Sequence, residues 1–236
     1  MGTVEEDGER AGQMAYTNEM SKNERSAPPR IVILSAYALA ATETTEEQCV
    51  KIGPRQSQQC AAGSTRPVVN INWNEARAVC QQAGGDLPTE AQWEYAARGG
   101  SRFPWSFGDD EELLKYYAWY ANNAKERQEV GRRRSNPLGL YDMHGNVYEW
   151  VRDWHSEYVP GVEVDPTGPA SGKCIRDVKD KMVIMDNSGA CRVVRGGSFD
   201  DPPEFLRSAL RGGFRPEVRR TFRGFRCVRV PPALGR

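Results

Sequence analysis

At 236 residues the chain has room for one large domain or two small ones, and 39% hydrophobic with 27% charged residues is an ordinary folded composition. Lys+Arg and Asp+Glu balance at 32 each, which gives no reason to expect nucleic acid or an anionic membrane as partner. No apolar run is long enough for a membrane span. With two histidines and no Cys-x-x-Cys, a zinc site is not expected either. Six cysteines are too few for a disulfide scaffold at this length, but Cys49/Cys60 and Cys174/Cys191 could each staple a loop in an oxidising compartment.

Residues 1–28 are polar and charged and read as a disordered or linker N-terminus. A single domain is expected over 29–232, with no internal repeat. Ile31 to Ala41 after Arg30 imitates a signal peptide, with Ala38-Leu39-Ala40 as a cleavage-like site. Its late position, the interrupting Tyr37 and the β-branched Ile31, Val32 and Ile33 favour a buried strand over Ile31–Leu39. Residues 42–48 place threonines ahead of glutamates, the sequence of a helix start. A polar loop, 53–66, leads to a short strand over Pro67–Trp73.

Asn74–Gln82 is a helix with Ala76, Val79 and Cys80 on one face, ended by Gly84-Gly85. A second helix starts at its N-cap Thr89, carries Trp93, Ala96 and Ala97 on one face, and stops at Gly99-Gly100. Residues 101–135 are turn-rich with clustered aromatics, and 155–190 are loop-like. Strands are expected at 191–199 and 224–230. Two short helices amid much irregular chain indicate an α+β fold.

Asn136 to Trp154 is the densest stretch. Asp142, the carbonyls near Gly145 and Val147, and Glu149 place hard oxygens at short spacing, which suits Ca²⁺. On spacing alone, a turn held by side-chain to backbone hydrogen bonds with no ion is the favoured reading of the same residues, because they do not form an EF-hand pattern. The nine arginines at 195, 207, 211, 215, 219, 220, 223, 226 and 229 read as forks that satisfy carbonyls and carboxylates in a loop-rich fold.

Five motifs in fixed order carry a resemblance. They are Pro67-Val-Val-Asn-Ile-Asn-Trp73, Leu87-Pro-Thr-Glu-Ala-Gln-Trp-Glu-Tyr-Ala-Ala-Arg98, Asn136 to Trp154, Arg195-Gly-Gly-Ser198 and Gly224-Phe-Arg226. Together they resemble the formylglycine-generating enzyme (sulfatase-modifying factor) family, which implies an elaborated C-type-lectin-like fold with structural calcium. Carried over by position, the calcium ligands would be Asp142 and Glu149 through side chains and Gly145 and Val147 through carbonyls, which turns the loop reading towards an ion. Active aerobic members of the family place two cysteines shortly after Arg-Gly-Gly-Ser, as thiolate ligands for copper. This chain has Asp201 and Leu206 there. No copper is expected, and formylglycine formation by that mechanism should be lacking. The three-histidine iron branch does not fit two histidines, whereas a periplasmic pyoverdine-maturation oxidase represents a branch that also lacks the cysteine pair.

The same framework also resembles the variable proteins of diversity-generating retroelements: Arg195-Gly-Gly-Ser198, Arg207-Ser-Ala-Leu-Arg211, Pro216-Glu-Val-Arg219 and Gly224-Phe-Arg226. The resemblance implies a ligand patch between these motifs, at Asp200, Asp201, Phe205, Leu210, Phe214, Arg215, Val218, Arg220 and Phe222. Aromatics with arginine are a composition enriched at interface hot spots. The expected function is a non-catalytic module binding a protein or small-molecule ligand at this C-terminal surface. An oxidase-type enzyme of a cysteine-free branch is the alternative.

Overall fold

The computed structural model describes the backbone of residues 13–15 and residues 30–52, 60–174 and 189–230. Most of the segment expected to be a disordered or linker terminus lies outside the described residues. Within it, Gln13–Ala15 (β1) pairs antiparallel with Arg30–Ile33 (β2). The strand expected over Ile31–Leu39 is two strands, β2 and Ala38–Leu39 (β3). Ser35 breaks it, donating from its backbone and hydroxyl to the Asp165 carboxylate at 2.7 and 2.6 Å.

The first helix, Glu46–Ile52 (α1), starts behind Thr45, whose hydroxyl accepts the Gln48 N–H while Gln48 Oε1 accepts the Thr45 N–H. No strand forms over Pro67–Trp73. Asn70 is left-handed (φ 57°), and the backbone donors turn sideways, Val68 to the Thr44 carbonyl and Asn70 to that of Arg220, both at 2.9 Å. Trp73–Gln82 (α2) and Glu90–Arg98 (α3) follow, each with a complete capping box, at Asn72/Glu75 and Thr89/Gln92. Glu111–Leu113 is a 3-10 turn leading into the short helix Leu114–Tyr117 (α4).

The sheet that positions the site is four-stranded, in the order Gly212–Phe214 (β7), Arg192–Arg195 (β6), Tyr148–Trp154 (β4), Arg223–Phe225 (β8). β4 runs antiparallel to β6 and parallel to β8. Sequence reading left β4 inside a loop because its residues alternate aromatic with charged or apolar, and both faces are covered. Tyr148 and Trp150 face a cluster with Ile71, Trp73, Val79 and Phe225, on the α2 side. Val151 faces Trp93, Ala96 and Ala97 of α3. This is the period-two geometry of a strand held between two helices.

Three indole N–H groups finish the packing. Trp73 donates to the Val151 carbonyl (2.8 Å), Trp150 to that of Ile71 (3.1 Å) and Trp93 to Glu149 Oε2 (2.7 Å). Two outlying sheets join distant parts of the chain. Gly161–Val164 (β5), in the stretch read as loop, pairs parallel with β2, and Val228–Arg229 (β9) pairs antiparallel with β3. The 191–199 and 224–230 expectations are met by β6 and by β8 with β9, each shorter than the apolar run.

All six cysteines are in disulfides: Cys49–Cys60, Cys174–Cys191 and Cys80–Cys227. The last ties α2 to the chain between β8 and β9 and was not expected from spacing.

A buried ionic network joins α3 to β4. Arg211 forks Glu90 through Nε and Nη2 at 2.6 and 2.7 Å, and Arg195 pairs with Glu94. Burial raises the Glu90 pKa, but Arg211 and Arg195 override it and hold the group at about 2. Asp153 accepts the Glu90 N–H at 2.8 Å, and burial, reinforced by the Glu90 charge, pushes its pKa up to about 7. An acid raised in the folded state contributes less stability as pH climbs from its ordinary value near 4 to its folded value near 7. Asp153→Asn removes that loss. The variant's stability relative to wild type should therefore increase from pH 4 to 7.5, by on the order of 2–4 kcal/mol in urea unfolding. His155, held at about 4 by burial, acts in the opposite sense in both proteins and cancels in the difference. A difference that does not change with pH would contradict this assignment.

Candidate functional site

The loop before β4 is shaped by residues that no bulkier side chain could replace. A Cβ on Gly145 would lie 2.1 Å from the Trp119 carbonyl oxygen, and Gly145 has φ 82°. Asn146, fully buried with φ 56°, accepts the Gln128 N–H (2.8 Å), and its own N–H donates to the Trp119 carbonyl (2.8 Å). His144 donates from Nδ1 to the Leu206 carbonyl at 2.8 Å, and its Nε2 accepts the Ser106 N–H at 3.2 Å, so the ring is neutral with the proton on Nδ1. Burial keeps it so, with its pKa down at about 4.

Asp142 and Glu149, expected as ion ligands, meet in one buried cluster with Glu43 and Arg226. All four are at most 2% exposed. Glu149 is fully engaged: Arg226 donates from Nε and Nη2 to its two oxygens at 2.7 Å each, and Trp93 adds a third bond. Arg226 also reaches the carbonyls of Ala40 (3.0 Å) and Tyr141 (2.9 Å). Asp142 Oδ2 accepts the Gly131 N–H at 2.6 Å, while Asp142 Oδ1 and both Glu43 oxygens meet no donor.

Glu43 and Asp142 lie within hydrogen-bond reach of each other. Two facing carboxylates have nothing to share unless a proton or a cation sits between them. Burial, then the Asp142 and Glu149 charges, drives the Glu43 pKa well up, and burial lifts Asp142 to about 6. Three carboxylates against one guanidinium leave the cluster short of positive charge, and a hard cation would supply it. No three His, Cys, Asp or Glu side chains converge as a ready-made metal cage among the described residues. A cation here would rely on backbone carbonyls as well. Sequence reading missed Glu43, because its setting among threonines looked like a solvated helix start.

The proposed ligand residues lie between β6 and β8, on the turns and, for Phe214, at the end of β7, in two groups. Asp201 accepts from Ser198 through N–H (2.9 Å) and hydroxyl (2.5 Å), and from the Tyr148 hydroxyl. Burial raises its pKa, against the Ser198 bonds. Asp200 is exposed, and Phe205 is packed on the cluster of Trp105, Leu114 and fully buried Leu206. In the second group, Phe214 and Phe222 are half-buried against the α2-side core, and Arg215 pairs with Glu217 at 3.3 Å. Leu210, Val218 and Arg220 are half-buried.

Tyr148 joins the two groups, with its ring edge-on to Phe222 (centroids 6.3 Å apart) and its hydroxyl on Asp201. Neither Tyr148 nor Arg223 was singled out from sequence. Tyr148 sits inside the Asn136 to Trp154 motif and Arg223 directly before Gly224-Phe-Arg226, so each read as frame rather than as lining.

The sulfatase-modifying factor enzyme 1-like domain profile matches residues 9–231. The chain belongs to this family. The formylglycine-generating enzyme of Streptomyces coelicolor is 36% identical over 184 residues, covering 69% of this chain and 52% of its own length. Serine/threonine-protein kinase Pkn1 of Chlamydia trachomatis is 32% identical over 167 residues, 69% of this chain and 24% of its own. The chain thus spans about half the length of the formylglycine-generating enzyme it matches.

Among solved structures, Treponema denticola variable protein 1 superposes with a TM-score of 0.73 at 28% identity, over 94% of this chain and 92% of that one. PvdO from Pseudomonas aeruginosa gives 0.70 at 22% identity, over 92% of this chain and 90% of that one, a likeness of fold alone. Asp201, expected from the resemblance at the first thiol position, is bonded to Ser198, and Leu206, expected at the second, is wholly inside the core.

Proposed function

We propose that the chain is a non-catalytic binding module that presents the turns between β6 and β8 to a protein or small-molecule ligand. The observation that carries this reading is the pair Asp201 and Leu206. One is a hard oxygen ligand already engaged by Ser198, and the other is a fully buried aliphatic side chain. Neither suits Cu(I), which selects soft thiolates, and every cysteine is in a disulfide. The likeness to a variable protein supports display on these turns, with diversification of their residues as part of that reading. Three disulfides fit an oxidising compartment.

Two measurements test it. With Cu(I), oxygen and a cysteine-containing sulfatase-type peptide, no aldehyde should form; turnover would overturn the reading. Simultaneous substitution of Asp200, Arg215, Val218 and Arg220 should leave Tm within about 4 °C of wild type, as surface changes do. Collapse of the fold would assign these positions to the core instead. A second reading, chemistry of a cysteine-free branch, draws on Asp201, whose raised carboxyl pKa beside Tyr148 and Ser198 is what an acid–base group would need.

We further propose one structural calcium ion, held by Asp142 with the Gly145 and Val147 carbonyls, with Glu43 and Glu149 contributing the surrounding negative charge. Such an ion balances buried charge and does no chemistry. Chelation should lower Tm, and Asp142→Ala should abolish that difference; a melting curve indifferent to chelator would count against the ion.

A further inference from the structure

A cavity of about 470 Å³ opens between the β2–β3 corner, the segment joining α2 to α3, β4 and the chain around β9. None of its lining residues belongs to the turns between β6 and β8. The volume is within the roughly 300–1,000 Å³ of small-molecule sites. Its floor is apolar: Leu34, Leu87 and Val228 line it and are at most 9% exposed.

Two side chains of the lining have donors to spare. Half-buried Arg152 has its backbone engaged on both sides, its N–H on the Pro88 carbonyl at 2.8 Å and its carbonyl accepting from Arg192 Nη1 at 2.7 Å. What it brings to the cavity is its side chain, and among the described residues the guanidinium makes no hydrogen bond or ion pair. Gln92 is 9% exposed. Its Oε1 accepts the Thr89 N–H at 2.9 Å, which fixes the two ends of the amide. Its Nε2 donates to no described residue and yet is not sealed off, so it opens into the cavity that Gln92 lines.

The two acids of the lining differ. Asp86 is committed, forked by Arg77 at 2.9 Å through each oxygen and accepting the Leu87 N–H at 2.8 Å. Asp165 stands exposed at the rim, where the Ser35 N–H and hydroxyl pin its carboxylate at 2.7 and 2.6 Å. Both of those donors are neutral, and no cation pairs with Asp165 among the described residues. An unpaired guanidinium within and an unpaired carboxylate at the mouth set the charge pattern of an occupant. A plain anion meets Asp165 and a plain cation meets Arg152, whereas a zwitterion satisfies both.

We propose that this cavity binds a small zwitterion with an apolar side chain, of dipeptide size. Arg152 and Gln92 Nε2 take its carboxylate, Asp165 takes its ammonium, and its side chain lies on Leu34, Leu87 and Val228. Hydrogen bonds between a guanidinium and a carboxylate are among the strong ones, and the dry floor favours the apolar part. The site is separate from the β6–β8 turns and does not depend on what they bind.

The test titrates leucyl-leucine into the full chain, beside N-acetyl-leucyl-leucine, which lacks the ammonium, and leucyl-leucinamide, which lacks the carboxylate. The reporter is the Gln92 side-chain amide in ¹H–¹⁵N spectra, assigned by its loss in Gln92→Glu, which keeps an oxygen for the Thr89 N–H. Leucyl-leucine should move this resonance saturably, and each counterpart should bind at least about fivefold more weakly. Arg152→Gln, at a side chain that holds nothing else in place, should remove the preference for the peptide over its amide. Asp165→Asn, which keeps an oxygen for Ser35, should remove the preference over the acetylated form. The site is refuted if leucyl-leucine leaves the Gln92 amide in place at millimolar concentration, if either counterpart binds as tightly, or if either preference survives its substitution. Refutation here leaves the reading of the β6–β8 turns standing, since the copper assay and the turn substitutions decide that separately.

Discussion

Arg226→Met is expected to lower the unfolding free energy by about 3–5 kcal/mol, the cost of leaving a buried carboxylate without its partner. Arg226 is wholly buried and supplies both bonds that hold the Glu149 oxygens from the β8 side, while two further donors reach the Ala40 and Tyr141 carbonyls. Removing it strands Glu149 next to Glu43 and Asp142, three acids with no guanidinium among them. The double variant Glu149→Gln/Arg226→Met should recover part of the loss, because the neutral amide no longer needs a counter-charge. Guanidinium denaturation of the two single variants and the double closes the cycle. A loss below about 1 kcal/mol for Arg226→Met would show that the cluster is held some other way.

The second large effect concerns the disulfide with the widest span. Cys80 and Cys227 are 147 residues apart in sequence, against 11 for Cys49–Cys60. Closing a loop of that length removes about 5 kcal/mol of unfolded-chain entropy, compared with about 3 kcal/mol for the short loop. Cys80→Ala/Cys227→Ala should therefore cost more than Cys49→Ala/Cys60→Ala. Lost packing does not separate the two pairs, since Cys49 and Cys80 are both fully buried in the α2-side core and Cys60 and Cys227 both pack against it. Chemical denaturation of both double variants ranks them. A smaller loss for the long-range pair would rule out loop closure as its source of stability.

Much of the architecture was legible because local and global signals agree. The shared face of Ala76, Val79 and Cys80 marks α2, which starts at Trp73, one residue ahead of the expected Asn74, and Thr89 marks α3 as its N-cap. β4 was not legible, because Glu149 and Asp153 look like solvated residues until Arg226 and the Glu90 backbone are known to meet them. Asn70 ends the Pro67–Trp73 run by adopting a left-handed conformation that apolar periodicity does not encode.

At the site, Asp142 and Glu149 were found by their motif. Glu43, nearly one hundred positions upstream, enters the same cluster only through tertiary structure. The patch residues were named as a set from the motifs that flank them, and Arg223 was not among them. A framework arginine reads as one more loop fork, and only its unmet donors set it apart.

The turns between β6 and β8 are held by contacts that ignore side-chain identity. Arg195 donates to the carbonyls of Ser208 (3.0 Å), Ala209 (2.8 Å) and Leu210 (2.7 Å), and His144 to that of Leu206. Asn70 and Trp73 reach from outside to the carbonyls of Arg220 and Pro216. Every amino acid offers the same carbonyl. A lineage could therefore rewrite the exposed letters of this segment many times over and inherit its path, provided buried Leu206 and the Arg211 fork on Glu90 stay.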